Sequence, residues 1–296
     1  MKDKSKEYLR TVHDLNNEVA WMLVDAIDGR PEALERALKD KRMREAYLDQ
    51  AYRKADAGQY MSDPYYAAIS FPDVSEGEWE FCHETVDAGE PFVCGELLLT
   101  DDFREIPQVR YFDEFFSYPV VKQGGREWMA VKPNEIETMK MPLQKVSGRV
   151  LTLGLGLGYF TYMASLKEDV SGVTVVEHDP QVTALFKKYI LPQFLHPEKV
   201  RIVEGDAFGI LSSLNPGDYA WVFMDIWNDA QDGLPLYLRA KPLEKPGVNY
   251  LYWVEETLLS AYRWQLFDDL MEMARSYEQA SHLLSDDFLR KLASSS

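Results

Sequence analysis

The feature of this sequence that most constrains its fold is a short apolar strand that runs directly into three glycines and then into a helix. It spans residues 151–160 and reads LTLGLGLGYF. Glycine lets the backbone turn tightly and approach a ligand closely, and the free N–H groups at the start of the next helix attract an anionic group. This order of elements predicts the first unit of an α/β domain with a ligand site at the loop.

Strand and helix patterns alternate from residue 149 onward. The buried-strand candidates are RVLTLG, GVTVVE, KVRIVE, YAWVFMD and NYLYWVEE, and helical stretches separate them. This alternation predicts an α/β, Rossmann-like, doubly wound and mostly parallel sheet with helices on both faces. We assign this domain to residues 147–255.

The chain before this domain divides into two regions. Apolar residues at three- and four-residue spacing, beginning at Leu9, predict a helix at 5–27 and a second one that continues to Gly58, so residues 1–60 form a helical arm. Segments such as WEFCHETV and YPVVKQGGREWMAVK predict a small antiparallel β region at 61–146. Within it, Asn134 is the predicted N-cap of a short helix at 135–143, with Glu137 completing a capping box.

The C-terminal region, residues 256–296, has a helical pattern throughout. Its apolar positions from Leu258 onward predict one helix, followed by a second helix capped near Ser285. The expected architecture is therefore a helical arm, a small β region, an α/β domain and a helical tail.

Charge and composition limit the partners and the compartment. The formal net charge is −17 and the pI is about 4.8, so the surface repels nucleic-acid backbones and anionic lipid heads, and a small or cationic substrate fits better. There is no long apolar run or signal-like start, which predicts a cytoplasmic protein. The two cysteines, Cys82 and Cys94, are interpreted as structural, and no metal site is expected.

The spacing of the glycines discriminates between cofactors. A dinucleotide fingerprint requires G-x-G-x-x-G, but Tyr159 stands where its third glycine would be, and the third glycine comes one residue early at Gly158. NAD is therefore the weaker interpretation. The loop, with glycines at Gly154, Gly156 and Gly158, resembles that of class I S-adenosylmethionine-dependent methyltransferases, and this resemblance implies that the loop binds the cofactor.

Two further acids lie where such a cofactor would need them. Glu177 ends the second strand, where a carboxylate can accept both ribose hydroxyl hydrogens; the alternative is a surface acid. Asp206 follows the third strand, where it could accept the adenine amino group while the N–H of Ala207 faces a ring nitrogen; the alternative is a helix N-cap, and the two roles can coexist. Asp179 is better explained as an N-cap.

The fourth strand ends in WVFMDIWND, which places Asp225 at the carboxyl edge of the sheet, where open α/β folds bind their ligands. Asp225 is the predicted catalytic residue, because it could accept a proton from an amine or hydroxyl nucleophile. The predicted substrate rim consists of Tyr159, Trp227, Asn228 and Asp229.

Over roughly residues 124–255 the chain shows a narrower resemblance to spermidine-synthase-like proteins. The resemblance lies in the order in which these segments follow one another: the β region, the short helix, the glycine loop, VVEHDP, EGDA and an Asp-rich turn. Those aminopropyltransferases commonly carry acids three residues apart after the fourth strand, whereas here Asn228 stands in the second position and Asp229 one residue later. The loop has Leu157 where they usually carry an acid. The helical tail also lacks a pattern for the sixth and seventh strands usual in methyltransferases.

Three hypotheses follow. The leading one is an S-adenosylmethionine-dependent methyltransferase that acts on a small-molecule acceptor, an amine being one candidate. The second is aminopropyl transfer from decarboxylated S-adenosylmethionine to a polyamine, and the third is a non-catalytic cofactor-binding module. None of them involves nucleic acid or a membrane, and homodimer formation stays open.

Overall fold

The computed structural model describes residues 18–101 and 104–283, and its N-terminal part consists of short helices. Their bounds are α1 (18–27), α2 (Glu32–Ala37), α3 (Lys41–Met43), α4 (Asp49–Ala51), α5 (Ala57–Met61) and α6 (Pro64–Ala68), with a π-helical turn at Arg44–Leu48. The predicted first helix is present from residue 18, and Leu9 lies outside the described residues. The prediction of one helix continuing to Gly58 is wrong, because residues 52–54 form a strand that pairs with residues 109–111.

Nine short strands of the described residues form the β region that precedes the α/β domain. They are β1 (Tyr52–Lys54), β2 (Val74–Glu76), β3 (Trp79–Val86), β4 (Phe92–Val93), β5 (Leu98–Leu99), β6 (Glu105–Ile106), β7 (Val109–Tyr111), β8 (Phe116–Gln123) and β9 (Arg126–Ala130). The largest sheet is antiparallel with the order β2-β3-β8-β9, and β8 and β9 form a hairpin at Gly124 and Gly125. The predicted antiparallel region is confirmed.

A single helix, α7 (Pro133–Lys145), joins this region to the α/β domain. It begins one residue before the predicted N-cap, because Pro133 fits the first turn of a helix, where no N–H is needed. Asn134 is therefore inside the helix and accepts a hydrogen bond from the Gly95 N–H instead (2.9 Å). The predicted capping box is wrong, since Glu137 bonds the hydroxyl of Tyr60 (2.9 Å).

The α/β domain contains a five-stranded, fully parallel sheet. Its strands are β10 (Gly148–Leu153), β11 (Val170–Glu177), β12 (Val200–Glu204), β13 (Trp221–Met224) and β14 (Asn249–Tyr252). Their spatial order is β12-β11-β10-β13-β14. The chain thus builds outward from β10 in both directions, which confirms the doubly wound α/β fold. A crevice forms at the carboxyl ends of β10 and β13, because the connections that follow these two neighbouring strands lead away in opposite directions.

Helices connect these strands and pack on the sheet. They are α8 (Tyr159–Ser165), α9 (Pro180–Leu185), α10 (Ala207–Ser213) and α11 (Ala230–Ala240), with a π-helical turn at Phe186–Ile190 and 3₁₀ turns at Leu191–Gln193, Pro197–Lys199 and Lys241–Leu243. Phe160 of α8 stacks on Phe223 of β13, with ring centroids 4.2 Å apart. Both rings are buried, and each such side chain stabilises the fold by roughly 1.5–3 kcal/mol.

The sheet has no further strand after β14 within residues 104–283, and the chain continues as one long helix, α12 (Glu255–Leu283). Its first half is fixed to β6, because Ser260, Arg263 and Trp264 all donate hydrogen bonds to the carboxylate of Glu105. The predicted helix cap near Ser285 lies outside the described residues. No described helix has both the length and the apolar character needed to cross a membrane.

The described residues form two hydrophobic cores. The larger core joins the parallel sheet, α7 and the antiparallel sheet. The smaller core joins the first helices to Ile106 and Val109 of the β region. The helical arm is therefore packed on the β strands and does not stand apart from them.

Candidate functional site

A cleft of about 240 Å³ opens at the carboxyl edge of the parallel sheet, at the ends of the neighbouring strands β10 and β13. We call this the cleft. It brings together most of the residues predicted from the sequence, together with two residues of β9. These lining residues are Gly154, Gly156, Glu177, Asp206, Ala207, Asp225, Trp227 and Asn228, with Trp128 and Met129 from β9.

Two of the three loop glycines are required by packing. All three have a positive φ, which an L-residue with a side chain rarely adopts. A Cβ on Gly154 would lie 1.9 Å from the backbone oxygen of Asp225, and one on Gly158 would lie 2.4 Å from the ring of Phe186. Gly154 therefore lets the ends of β10 and β13 come together, and Gly158, which does not line the cleft, lets α8 begin against Phe186.

Gly156 differs from its two neighbours because only a side chain approaches it. A Cβ at Gly156 would lie 2.0 Å from Sδ of Met129. Methionine is unbranched and has several rotatable bonds, so Met129 can move away from the loop. Gly156 is thus the position where the backbone of the loop is exposed to the cleft once Met129 is displaced.

Glu177, at the end of β11, is only 7% exposed and bonds backbone on both sides. One carboxylate oxygen accepts the N–H of Leu155 in the glycine loop (3.2 Å), and the other accepts the N–H of Asp179 (2.9 Å). His178 Nδ1 lies 3.1 Å from the second oxygen. Since an ionised carboxylate has about four lone-pair sites, Glu177 holds the loop in place and keeps capacity for a ligand hydroxyl.

Asp206 acts as the N-cap of α10, as the alternative interpretation predicted. One of its oxygens accepts the N–H of Gly209 (2.6 Å). Because this bond uses one oxygen, the second remains available to a ligand in the cleft, which Asp206 and Ala207 both line. Asp179 likewise caps α9 through the N–H groups of Gln181 and Val182.

Asp225 follows β13 and differs from the two acids above. No described residue donates a hydrogen bond to its carboxyl group, although its backbone N–H bonds Leu153 (2.9 Å). Desolvation of this carboxyl raises its pKa to about 7. A carboxyl group with a pKa near neutrality can both take and return a proton under working conditions.

A second, larger cavity of about 770 Å³ adjoins the cleft, and we call it the large cavity. The two share the side chains of Trp128, Met129, Asp225, Trp227 and Asn228. Further lining residues of the large cavity come from β4, α7 and the turn between β14 and α12. In that turn, Val254 has φ +50°, a strained conformation for a β-branched residue of the kind that often marks a functional site.

The predicted rim residues divide between the two compartments and the core. Trp227 and Asn228 line both, and Asp229 lines the large cavity while capping α11 through a capping box with Asp232. The structure does not bring Tyr159 to this rim. Its ring packs against Tyr65 and its hydroxyl donates to Asp63 (3.0 Å), behind the glycine loop.

Sequence reasoning missed Glu135 as a functional residue. This side chain of α7 is 7% exposed and lines the large cavity, and its Oε2 is buried without a hydrogen-bond partner among the described residues. Burial, and then the nearby charge of Asp225, raise its pKa to about 8. A signal was available, since Glu135 shares the buried face of α7 with Met139, four residues on.

Comparisons with known proteins give distant similarities. No protein family and no curated protein matches the chain. Among solved structures it is similar to the C-terminal domain of precorrin-6Y C5,15-methyltransferase from Rhodobacter capsulatus, with 19% identity over 46% of this chain and 71% of that one and a TM-score of 0.34. It is also similar to spermidine synthase from Thermotoga maritima, with 16% identity over 40% and 44% and a TM-score of 0.31.

A third similar structure is a glycopeptide N-methyltransferase in complex with S-adenosyl-L-methionine, with 24% identity over 39% of this chain and 52% of that one and a TM-score of 0.29. The chain spans about half the length of this protein and of the spermidine synthase. These structures belong to the two classes of protein that the sequence resembles. At such low TM-scores they identify neither a reaction nor a ligand for this chain.

Proposed function

We propose that the chain is an S-adenosylmethionine-dependent methyltransferase that acts on a small-molecule acceptor. The observation that carries this proposal is the wall shared by the cleft and the large cavity. The cleft offers a glycine loop and two acids suited to an adenosyl nucleotide, the large cavity has room for a second molecule, and Asp225 lines both.

The residues of the cleft fit an adenosyl group. Glu177 has acceptor capacity for the ribose hydroxyls after its bonds to the loop, and Asp206 has a second oxygen for the adenine amino group. Trp227 supplies a further indication, because its Nε1 is buried without an acceptor among the described residues and lies in the shared wall. An unpaired buried donor costs about 1–3 kcal/mol, which a ligand oxygen would recover.

S-adenosylmethionine supplies, when bound, a methyl group activated by its sulfonium. The chain has three tasks beside it. Trp128 and Met129 cover the junction of the two compartments and exclude water. The loop and Glu177 fix the position of the nucleotide relative to the large cavity. Asp225, whose pKa is about 7, orients the acceptor and takes its proton.

Calorimetric titration of the full chain with S-adenosylmethionine and with S-adenosylhomocysteine tests the proposal. We expect both to bind, and Glu177→Ala to weaken binding by at least about tenfold. Asp179→Ala is the matched control, because it removes a nearby acid that serves only as a helix cap. Absence of binding to either nucleotide would overturn the proposal, and equal losses in the two variants would show that Glu177 acts only through the fold.

One observation favours aminopropyl transfer as a second candidate. None of the described residues that line the cleft is a lysine or an arginine. The α-carboxylate of S-adenosylmethionine would then have to rely on backbone N–H groups, whereas decarboxylated S-adenosylmethionine carries no such charge. Tighter binding of the decarboxylated form, together with release of methylthioadenosine in the presence of putrescine or spermidine, would favour this candidate. Formation of S-adenosylhomocysteine without any methylthioadenosine would favour methyl transfer.

A further inference from the structure

The large cavity is strongly acidic. Five of the described residues that line it are acidic and one is basic, namely Glu90, Glu127, Glu135, Asp225 and Asp229 against Lys132. Lys132 Nζ is already bonded to Glu127 Oε1 at 2.9 Å. The acids therefore outnumber the bases in this lining by four, and the cavity repels an anionic ligand.

Glu135 is the most unusual of these acids. Its Oε2 is buried without a hydrogen-bond donor, although the great majority of buried polar side-chain atoms in proteins are paired. The side chain is fixed in this position by the helix that carries it, because Ile136 and Met139 of α7 belong to the main core. A donor for Oε2 of Glu135 must therefore come from a molecule in the cavity or from water.

We infer that the acceptor is an amine that binds as a cation in the large cavity, between Glu135 and Asp225, and that Glu135 selects for its ammonium group. This inference rests on the proposed function for the assignment of the large cavity to the acceptor. An ammonium group offers three donors and one positive charge, so it satisfies the unpaired oxygen of Glu135 and the free carboxyl of Asp225 together. A neutral alcohol of the same shape supplies one donor and no charge.

Binding of such a cation must change the protonation of the two acids. Burial and the charge of Asp225 raise the pKa of Glu135 to about 8, Glu127 acts in the same direction, and Lys132 and Asn134 act in the opposite one. At neutral pH the site without a ligand therefore holds a proton on Glu135. An ammonium group stabilises the ionised form, so its arrival releases this proton to solvent.

The experiment uses the full chain and three probes of similar length: butylamine, 1,4-diaminobutane and 1,4-butanediol. Each is titrated calorimetrically at about pH 7 in two buffers of different ionisation enthalpy, which reports the protons released on binding. We expect the two amines to bind with proton release and the diol to bind at least about tenfold more weakly. Glu135→Gln weakens amine binding by at least about tenfold and reduces the proton release to the part that Asp225, whose pKa is about 7, contributes. A purely structural role for Glu135 does not predict this reduction.

Glu137→Gln is the matched control. Glu137 lies on the same helix, bonds Tyr60 and Lys140, and does not line the large cavity. We expect it to bind the amines and to release protons as the unmodified chain does. Equal binding of the diol and the diamine, or unchanged proton release in Glu135→Gln, would overturn the inference.

The outcome also separates this inference from the proposed function. If S-adenosylmethionine binds but the amines do not, the inference fails and the methyltransferase proposal stands. If the amines bind with proton release that depends on Glu135 but neither nucleotide binds, the cation site stands and the methyltransferase proposal fails.

Discussion

The cleft and the large cavity share a wall, but two pairs of acids that line them differ in their hydrogen bonds. In the cleft, Glu177 and Asp206 are hydrogen-bonded to backbone N–H groups of the glycine loop and of α10. In the large cavity, Asp225 has no donor and Glu135 keeps one buried oxygen without a partner among the described residues. The described part of the chain itself supplies hydrogen-bond donors to Glu177 and Asp206, whereas it supplies none to the carboxyl group of Asp225 or to Oε2 of Glu135.

This difference separates acids that hold the backbone of a site in place from acids whose hydrogen-bond donors must come from a ligand. A carboxylate that accepts backbone N–H groups stabilises the fold even with nothing bound, because it satisfies buried donors. A buried carboxyl without a donor destabilises the fold, and a raised pKa is the sign of that cost. Removing Glu177 or Asp206 should therefore lower the free energy of unfolding, and removing Glu135 should raise it at a pH where Glu135 is ionised.

The largest expected effect is on the packing of β10 against β13 beside Asp225. Gly154→Ala places a Cβ 1.9 Å from the backbone oxygen of Asp225 at φ +101°. Neither atom can move without separating β10 from β13, so we expect a loss of at least about 3 kcal/mol in the free energy of unfolding. Urea denaturation of the full chain measures it.

Gly217→Ala provides the control for Gly154→Ala. Gly217 has a similar φ of +89°, but a Cβ there would meet no atom within 4 Å. We expect a loss of about 1 kcal/mol, from backbone strain alone. Equal losses at the two positions would mean that the close packing of β10 and β13 is not what requires a glycine.

The next effect concerns the cleft. Glu177→Ala leaves the N–H groups of Leu155 and Asp179 without their acceptor. Because the site is buried, we expect the free energy of unfolding to fall by about 2 kcal/mol even in the absence of any nucleotide. Chemical denaturation measures this loss, and unchanged stability would contradict the view that Glu177 holds the loop.

Replacing Glu135 in the large cavity should have the opposite effect on the free energy of unfolding, and the size of this effect should depend on pH. The pKa of Glu135 is raised to about 8, so the folded chain binds more protons than the unfolded chain between the ordinary pKa of a glutamate and pH 8. Stability therefore falls as the pH rises through this window, and the cost is fully present above about pH 8. We expect Glu135→Gln to raise stability by about 1–2 kcal/mol at pH 9 and by little at pH 5.

Thermal unfolding over this pH range measures the gain, with Glu137→Gln as the control on the same helix. A loss of stability in Glu135→Gln at high pH would show that Glu135 is satisfied in the fold, and the contrast with the cleft would disappear.

Much of the cleft was predictable because its residues follow from local pattern. Each parallel strand ends at a recognisable point, and all the carboxyl ends meet at one edge of the sheet. Glu177, Asp206 and Asp225 could thus be placed together from three separate strand patterns. The glycine loop was predictable for the same reason, although the packing partners of Gly154 and Gly158 were not.

The residues that were missed depend on long-range packing. Glu135 lies on a helix outside the α/β domain, and only the packing of that helix on the sheet brings it beside Asp225. Tyr159 follows the loop directly, yet Asp63 and Tyr65 from the N-terminal part draw it away from the rim. The predicted helix to Gly58 is interrupted because β1 pairs with a strand more than fifty residues later.

The smallest expected effect concerns Asp229, which lines the large cavity but is satisfied like the acids of the cleft. Its carboxylate accepts the N–H groups of Gln231 and Asp232 at the start of α11. Asp229→Ala should lower the free energy of unfolding by about 1 kcal/mol, whereas Asp229→Asn, which keeps an oxygen for the cap, should change it by less than about 0.5 kcal/mol. Amine binding should persist in Asp229→Asn, since the cation is held by Glu135 and Asp225. If amine binding fell in Asp229→Asn as much as in Glu135→Gln, Asp229 would be a ligand contact. Hydrogen bonding within the protein would then fail to distinguish structural acids from ligand-binding acids.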